Sequence, residues 1–195
     1  MPEIYKVSKL KKNDYENIAY RLKKDEIIIY PTETIYGIGG NALNNNVHKK
    51  ILSIKERDKD KNFIWLFKDI NMIKNFVITN NIEEEIIKKY LPGALTIILK
   101  SKIPEFETIG VRISPHPFLK NLFKYIHFPI ISTSANISNQ NYIHNFNKIL
   151  DIFKDKVNIF IEDDVSKNSN SKQPSTIVKV VNNKIVVLRE GKVKL

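Results

Sequence analysis

The sequence predicts an α/β (α+β) protein, with one domain over residues 1–195 in which a twisted mixed β-sheet is flanked by helices. Three observations point there. Short runs rich in Ile, Val and Phe alternate along the chain with segments whose apolar residues recur at helical spacing, the interleaving that wraps helices around a sheet. A length of 195 residues suits one well-buried core and is short for two. No internal repeat interrupts the pattern, and no apolar run reaches membrane-spanning length.

The elements follow in order. Tyr15, Ile18, Ala19 and Leu22 share one helical face, predicting an amphipathic helix from about Asn13 to Lys24. A strand follows at Glu26–Tyr30, then a glycine-rich turn, "YGIGG". Asn44 is an N-cap for a helix with Val47, Ile51 and Ile54 on one face. Strands are predicted at Asn62–Phe67, Leu95–Lys100, Ile109–Ser114 and Pro129–Thr133, and helices at Ile82–Tyr90, Pro117–Ile126 and Asn147–Lys154. Pro92-Gly93 stops the first of these helices. Two closing strands, Ser175–Val181 and Lys184–Leu188, flank Asn182-Asn183 as a hairpin turn. Ser166–Gln173, "SKNSNSKQ", reads as a polar, mobile loop.

Composition narrows the chemistry. Cysteine is absent, which excludes disulfides, thiolate catalysis and cysteine-ligated zinc or iron–sulfur centres. His48, His116, His127 and His144 fall at no metal-ligand spacing, and no protein-bound metal is expected. The amino terminus lacks the continuous apolar core of a signal peptide, so a cytoplasmic protein with no membrane partner is expected. A net charge of +11 fits a polyanionic partner, although a chain this crowded with Lys, Asn and Ile also carries basicity from codon bias. That bias makes arginine informative. Of 32 basic residues only Arg21, Arg57, Arg112 and Arg189 are arginine, and an arginine kept where lysine is the easy choice offers a planar, two-donor grip on phosphate or carboxylate.

Several constellations carry that chemistry. "GIGGNA" imitates a dinucleotide fingerprint, but six residues separate its first glycine from the strand end and the acids precede the next strand, so a Rossmann site is rejected. Lys55-Glu56-Arg57-Asp58-Lys59-Asp60-Lys61 is either a solvated charge run or, if the helix ends near Ile54, an extended segment on which Lys55 and Arg57 converge as a polyphosphate site. Arg112 sits inside the apolar strand "TIGVRIS". It pairs with an internal acid or faces a ligand cleft, because an unpartnered buried guanidinium is costly. "STSANIS" puts hydroxyls and an amide at the end of the strand "PII", either capping the turn or lining a ligand site beyond the strand end.

Taken in order, "YPTETIYGIG", "IKER", "LPGALTIIL", "TIGVRISPHP", "STSANIS", "PSTIV" and "LREG" resemble the threonylcarbamoyl-AMP synthase (YrdC/Sua5) family, in its single-domain form without the carboxy-terminal Sua5 extension. The resemblance spans nearly the whole chain. It implies a YrdC-like fold with a basic concave cleft, and synthesis of threonylcarbamoyl-AMP and pyrophosphate from L-threonine, bicarbonate and ATP, with Mg²⁺ accompanying the nucleotide. The adenylate would pass to a separate tRNA threonylcarbamoyl transferase. By the same resemblance Thr34, Arg112, Ser134 and Ser175 bind L-threonine. Lys55 and Arg57 act on the ATP phosphates as the catalytic pair, with Lys61, Thr108, Asn136 and Arg189 as further ATP contacts. Asp58, Asn62 and Phe63 stand where the family commonly has prolines and a leucine, Leu66 aligns with a histidine of the Sua5 type, and Asn139 replaces a glycine. The rival reading is a YciO-like RNA-binding module of the same fold. Either reading would allow tRNA or RNA to bind through the basic surface.

Overall fold

The computed structural model describes residues 1–56, 63–138, 140–166 and 173–195. The strands are β1 (Glu3–Lys6), β2 (Ile28–Tyr30), β3 (Gly37–Gly39), β4 (Ile64–Leu66), β5 (Val77–Ile78), β6 (Leu95–Ser101), β7 (Thr108–Arg112), β8 (Ile130–Ser134), β9 (Ile159–Glu162), β10 (Thr176–Val181) and β11 (Lys184–Arg189). They form one mixed sheet in the order β1-β9-β2-β3-β8-β4-β7-β6-β10-β11, with β5 pairing β6. The helices are α1 (Lys12–Lys23), α2 (Asn45–Lys55), α3 (Ile70–Lys74), α4 (Asn81–Tyr90), α5 (Pro117–Leu122) and α6 (Phe146–Phe153).

Side-chain alternation sorts the core into two layers. On one face α1 and α5 bury Ile18, Leu22, Phe118 and Leu122 against Ile28, Tyr30, Ile130 and Ile159. The opposite face receives α2, α4 and α6, whose Val47, Ile51, Ile87 and Phe153 pack on Ile29, Ile38, Val111 and Phe160. Each such side chain, fully withdrawn from water, contributes about 1.5–3 kcal/mol before entropy is subtracted. The predicted N-cap is present: Asn44 accepts the Asn46 N–H. At α4, Asn80 and Glu83 form a reciprocal capping box. Asn182 and Asn183 both take positive φ, 49° and 60°, which suits the right-handed twist of the β10–β11 hairpin.

The structure departs from the sequence expectations at identifiable places. The glycine-rich segment is a strand, β3, antiparallel to both β2 and β8. Its glycines serve close packing: a Cβ on Gly39 would lie 1.8 Å from the Ile131 carbonyl oxygen, and one on Gly37 3.1 Å from the Tyr30 ring. Helix α2 continues through Lys55 and closes on Glu56, in the left-handed region at φ 52°. β1, β9, α3 and β5 have no counterpart in the expected elements. Most of the Ser166–Gln173 loop lies outside the described residues.

Candidate active site

The candidate site grows from the β2–β3 connection. Tyr30 ends β2 fully buried, and Pro31 turns the chain into Thr32-Glu33-Thr34. The two threonine hydroxyls stand 2.9 Å apart. Thr32 donates to the Ile35 carbonyl at 2.7 Å, so its single hydroxyl proton is spent and it accepts from Thr34. Thr34 in turn accepts from Arg112 Nη2 at 2.8 Å. The proton chain runs one way, from Arg112 through Thr34 and Thr32 to Ile35. Towards a ligand, Thr34 can therefore only accept.

Arg112 closes β7, and its side chain is 5% exposed. Its Nη2 also donates to Glu33 Oε1 at 2.6 Å, and its Nε to the Gly93 carbonyl at 3.2 Å. Glu33 Oε2 accepts the Ser114 hydroxyl. Of the alternatives left by the sequence, the internal acid is present as Glu33, and Arg112 also lines a cavity of about 490 Å³.

That cavity is walled by Thr34 and Tyr36 of the β2–β3 connection, Lys55 of α2, Ser134 at the end of β8, Asn136 just after it, Ser175 before β10 and Arg189 at the end of β11. Its volume lies in the range that takes a small ligand. Lys55 is 2% exposed. Its ammonium donates to the carbonyls of Ser134 and Asn136, the latter at 2.6 Å. The extended segment that would let Lys55 and Arg57 converge is corrected at Lys55, which is the last residue of α2; it clamps the turn after β8 to the end of α2, and the Ser138 N–H completes the clamp at 3.0 Å on the Lys55 carbonyl. Ser138 also lines the cavity, and its buried hydroxyl has no partner among the described residues. Such a group is satisfied by a ligand or water.

Arg189 grips Ser175, donating from Nη2 to its carbonyl at 2.7 Å and its hydroxyl at 3.1 Å. The Ser175 hydroxyl lies 2.8 Å from that of Thr96 on β6. Burial pulls the Arg189 guanidinium below the usual arginine value, and Tyr142, within hydrogen-bonding reach, opposes the shift. Tyr36 is pushed up to about 12 by burial, and its hydroxyl accepts the Asp163 N–H at 2.9 Å.

The structure therefore gathers Thr34, Lys55, Arg112, Ser134, Asn136, Ser175 and Arg189 around one cavity. Thr108 is not among its lining residues; it starts β7, about 13 Å along the strand from Arg112. Leu66 is fully buried in the core layer facing α1 and α5. Arg57, Lys61, Asp58, Asn62 and Asn139 lie outside the described residues. Sequence reasoning gave Glu33, Tyr36 and Tyr142 no role. Glu33 had a signal: it stands between two threonines, and an arginine in an apolar strand demands an acid.

The profile of the Sua5/YciO/YrdC family, described as "Telomere recombination", matches residues 21–191. The chain belongs to this family. A Methanocaldococcus jannaschii protein, provisionally named threonylcarbamoyl-AMP synthase, is 36% identical over 97% of this chain and 93% of its own length. A Buchnera aphidicola threonylcarbamoyl-AMP synthase is 30% identical over 85% of this chain and 98% of its own length. The fold matches P. abyssi Sua5 complexed with L-threonine at a TM-score of 0.87 and 25% identity, covering 97% of this chain. This chain spans 57% of that longer one. E. coli YciO shares the fold at a TM-score of 0.86, over 96% of its own chain.

Proposed function

We propose that this chain is an L-threonylcarbamoyladenylate synthase, a nucleotidyltransferase that makes threonylcarbamoyl-AMP and pyrophosphate from L-threonine, bicarbonate and ATP for the t6A modification of tRNA. The observation that carries the reading is the polarity of one cavity. That cavity is lined by Arg112 with a hydroxyl chain that can only accept, and also by the cations Lys55 and Arg189. Arg112 and Thr34 suit an amino acid, its carboxylate on Arg112 and its ammonium or hydroxyl on Thr34. Lys55 and Arg189 suit phosphates, with Ser138 left to bind an oxygen or nitrogen of the ligand. The names of the family relatives and the L-threonine in the P. abyssi structure support the same assignment.

The neutral threonine amine forms an N–C bond to the carbon of bicarbonate while a C–O bond breaks and water leaves, giving a carbamate. A carbamate oxygen attacks the α-phosphorus of ATP, the bond from that phosphorus to the bridging oxygen breaks, and pyrophosphate leaves. The carbamate is already a nucleophile, so the protein contributes position and charge. Arg112 holds the amino acid while Lys55 and Arg189, joined by Arg57 and Lys61, would stabilise charge on the phosphates. Among the described residues no group of three or more His, Asp or Glu could hold a metal. Mg²⁺ is therefore proposed to arrive on the oxygens of ATP and to neutralise them. The product would pass to a tRNA threonylcarbamoyl transferase in the cytoplasm, and no helix among the described residues is long and apolar enough to cross a membrane.

The experiment is to supply ¹³C-bicarbonate, ATP, Mg²⁺ and L-threonine and look by mass spectrometry for the adenylate. A product heavier by the single labelled carbon is expected. Its absence while ATP still binds would favour the RNA-binding reading of the fold.

A further inference from the structure

Arg112 has five N–H groups, and the protein spends three of them. Nε serves the Gly93 carbonyl, and the two hydrogens of Nη2 serve Glu33 Oε1 and Thr34 Oγ1. Among the described residues only the two hydrogens of Nη1 are left for a ligand. Glu33, 17% exposed, is itself held at both oxygens, by Arg112 and by the Ser114 hydroxyl. Glu33 is not among the residues lining the cavity, so it reaches the substrate only through Arg112.

We infer that Glu33 is a positioning residue for the amino acid: it fixes the rotation of the Arg112 guanidinium, so that a substrate carboxylate is met by Nη1 alone. A guanidinium free to turn could offer its Nη1/Nη2 edge as a two-nitrogen fork to any passing carboxylate or phosphate. Held by Glu33, Gly93 and Thr34, it offers one nitrogen at one place with its charge already balanced. Binding then depends on the fit of the rest of the amino acid, and the restraint lowers the ordering cost at the moment of binding. Ser114 takes part at one remove, since its hydroxyl occupies the Glu33 oxygen that would otherwise let the carboxylate rotate.

This inference rests on the reading of the cavity as an amino-acid site, and the test separates the two. With only four arginines in the chain, the Arg112 side chain can be followed by nitrogen-15 NMR in the intact protein. Glu33→Gln keeps the size and one acceptor but removes the charge. Slow, resolved Nη signals of Arg112 in the native protein should merge through faster rotation in this variant. Its KM for L-threonine should rise about tenfold, the loss expected of one charge-assisted contact, with kcat and the KM for ATP changing less than about twofold. Ser114→Ala, which keeps the charge, should move both readouts part of the way and serves if the first variant folds poorly. Unchanged Arg112 signals, or equal rises in both KM values, would overturn the positioning role. Restrained Arg112 signals in a native protein with no response to threonine would overturn the amino-acid reading instead.

Discussion

At the scale of single residues, Arg112 and Lys55 do two jobs each, and their variants should show both. Arg112→Lys keeps a charge but cannot serve Gly93, Glu33 and Thr34 together. Apparent affinity for threonine should fall roughly 10- to 100-fold, and the melting temperature should fall with it. A lowered melting temperature with unaltered threonine dependence would make Arg112 purely architectural. Lys55→Ala strands the carbonyls of Ser134 and Asn136, at about 1–3 kcal/mol for each left unsatisfied, and removes a cation from the cavity. Urea denaturation should show the loss alongside weakened ATP use, and native stability would contradict the clamp. Much of this site was legible in the sequence. An arginine inside "TIGVRIS" and hydroxyls in "YPTET" and "STSANIS" announce polar groups that need partners. What was hidden is how those partners are shared, because Glu33 and Arg112 are 79 positions apart and the sequence carries no register.

At the scale of elements, periodicity found the longer helices because each has a clear buried stripe, as Val47 and Ile51 show on α2, and it missed the five-residue α3, which buries only Ile73. It missed β3 because a three-residue strand with two glycines carries no alternation to read. It missed β9 because "IFIE" is apolar on both faces and lies between β1 and β2, both parallel to it. β3 is nevertheless a strict element. Gly39→Ala drives a methyl to within 1.8 Å of the Ile131 carbonyl oxygen, and the antiparallel β3–β8 pairing would have to shift. A loss of about 3 kcal/mol or more is expected in urea denaturation, at or beyond the upper end for overpacking. A loss below about 1 kcal/mol would mean that the strand moves freely. At the N-terminus of α4, Asn80→Ala should cost about 1 kcal/mol through the lost capping box, with no effect on threonine or ATP use, since α4 contributes no residue to the cavity wall.

At the scale of the whole molecule, two partly buried titrating groups beside the sheet, His48 on α2 and Glu26 just before β2, set the response to pH. Burial beside Phe63 and Phe106 lowers His48 below its ordinary 6.5, and a hydrogen bond to the Ala42 carbonyl partly offsets this. A depressed histidine favours the unfolded state once that state binds the proton, so stability present above 6.5 is lost as pH falls through and below it. Glu26, lowered from 4.5 mainly by its hydrogen bonds from Arg21, adds a second loss below the ordinary carboxylate value. The urea midpoint should therefore fall between about pH 7 and pH 5.5, and His48→Gln should flatten that limb; a flat profile in the native protein would contradict it. The sheet brings chain segments from Thr34 to Arg189 to one cavity. The most direct measurement is steady-state pyrophosphate release with ATP and Mg²⁺ while threonine and bicarbonate are withdrawn in turn and serine is substituted for threonine. Release that requires threonine and bicarbonate together is the predicted result, and equal release with serine, or with no amino acid at all, would contradict it.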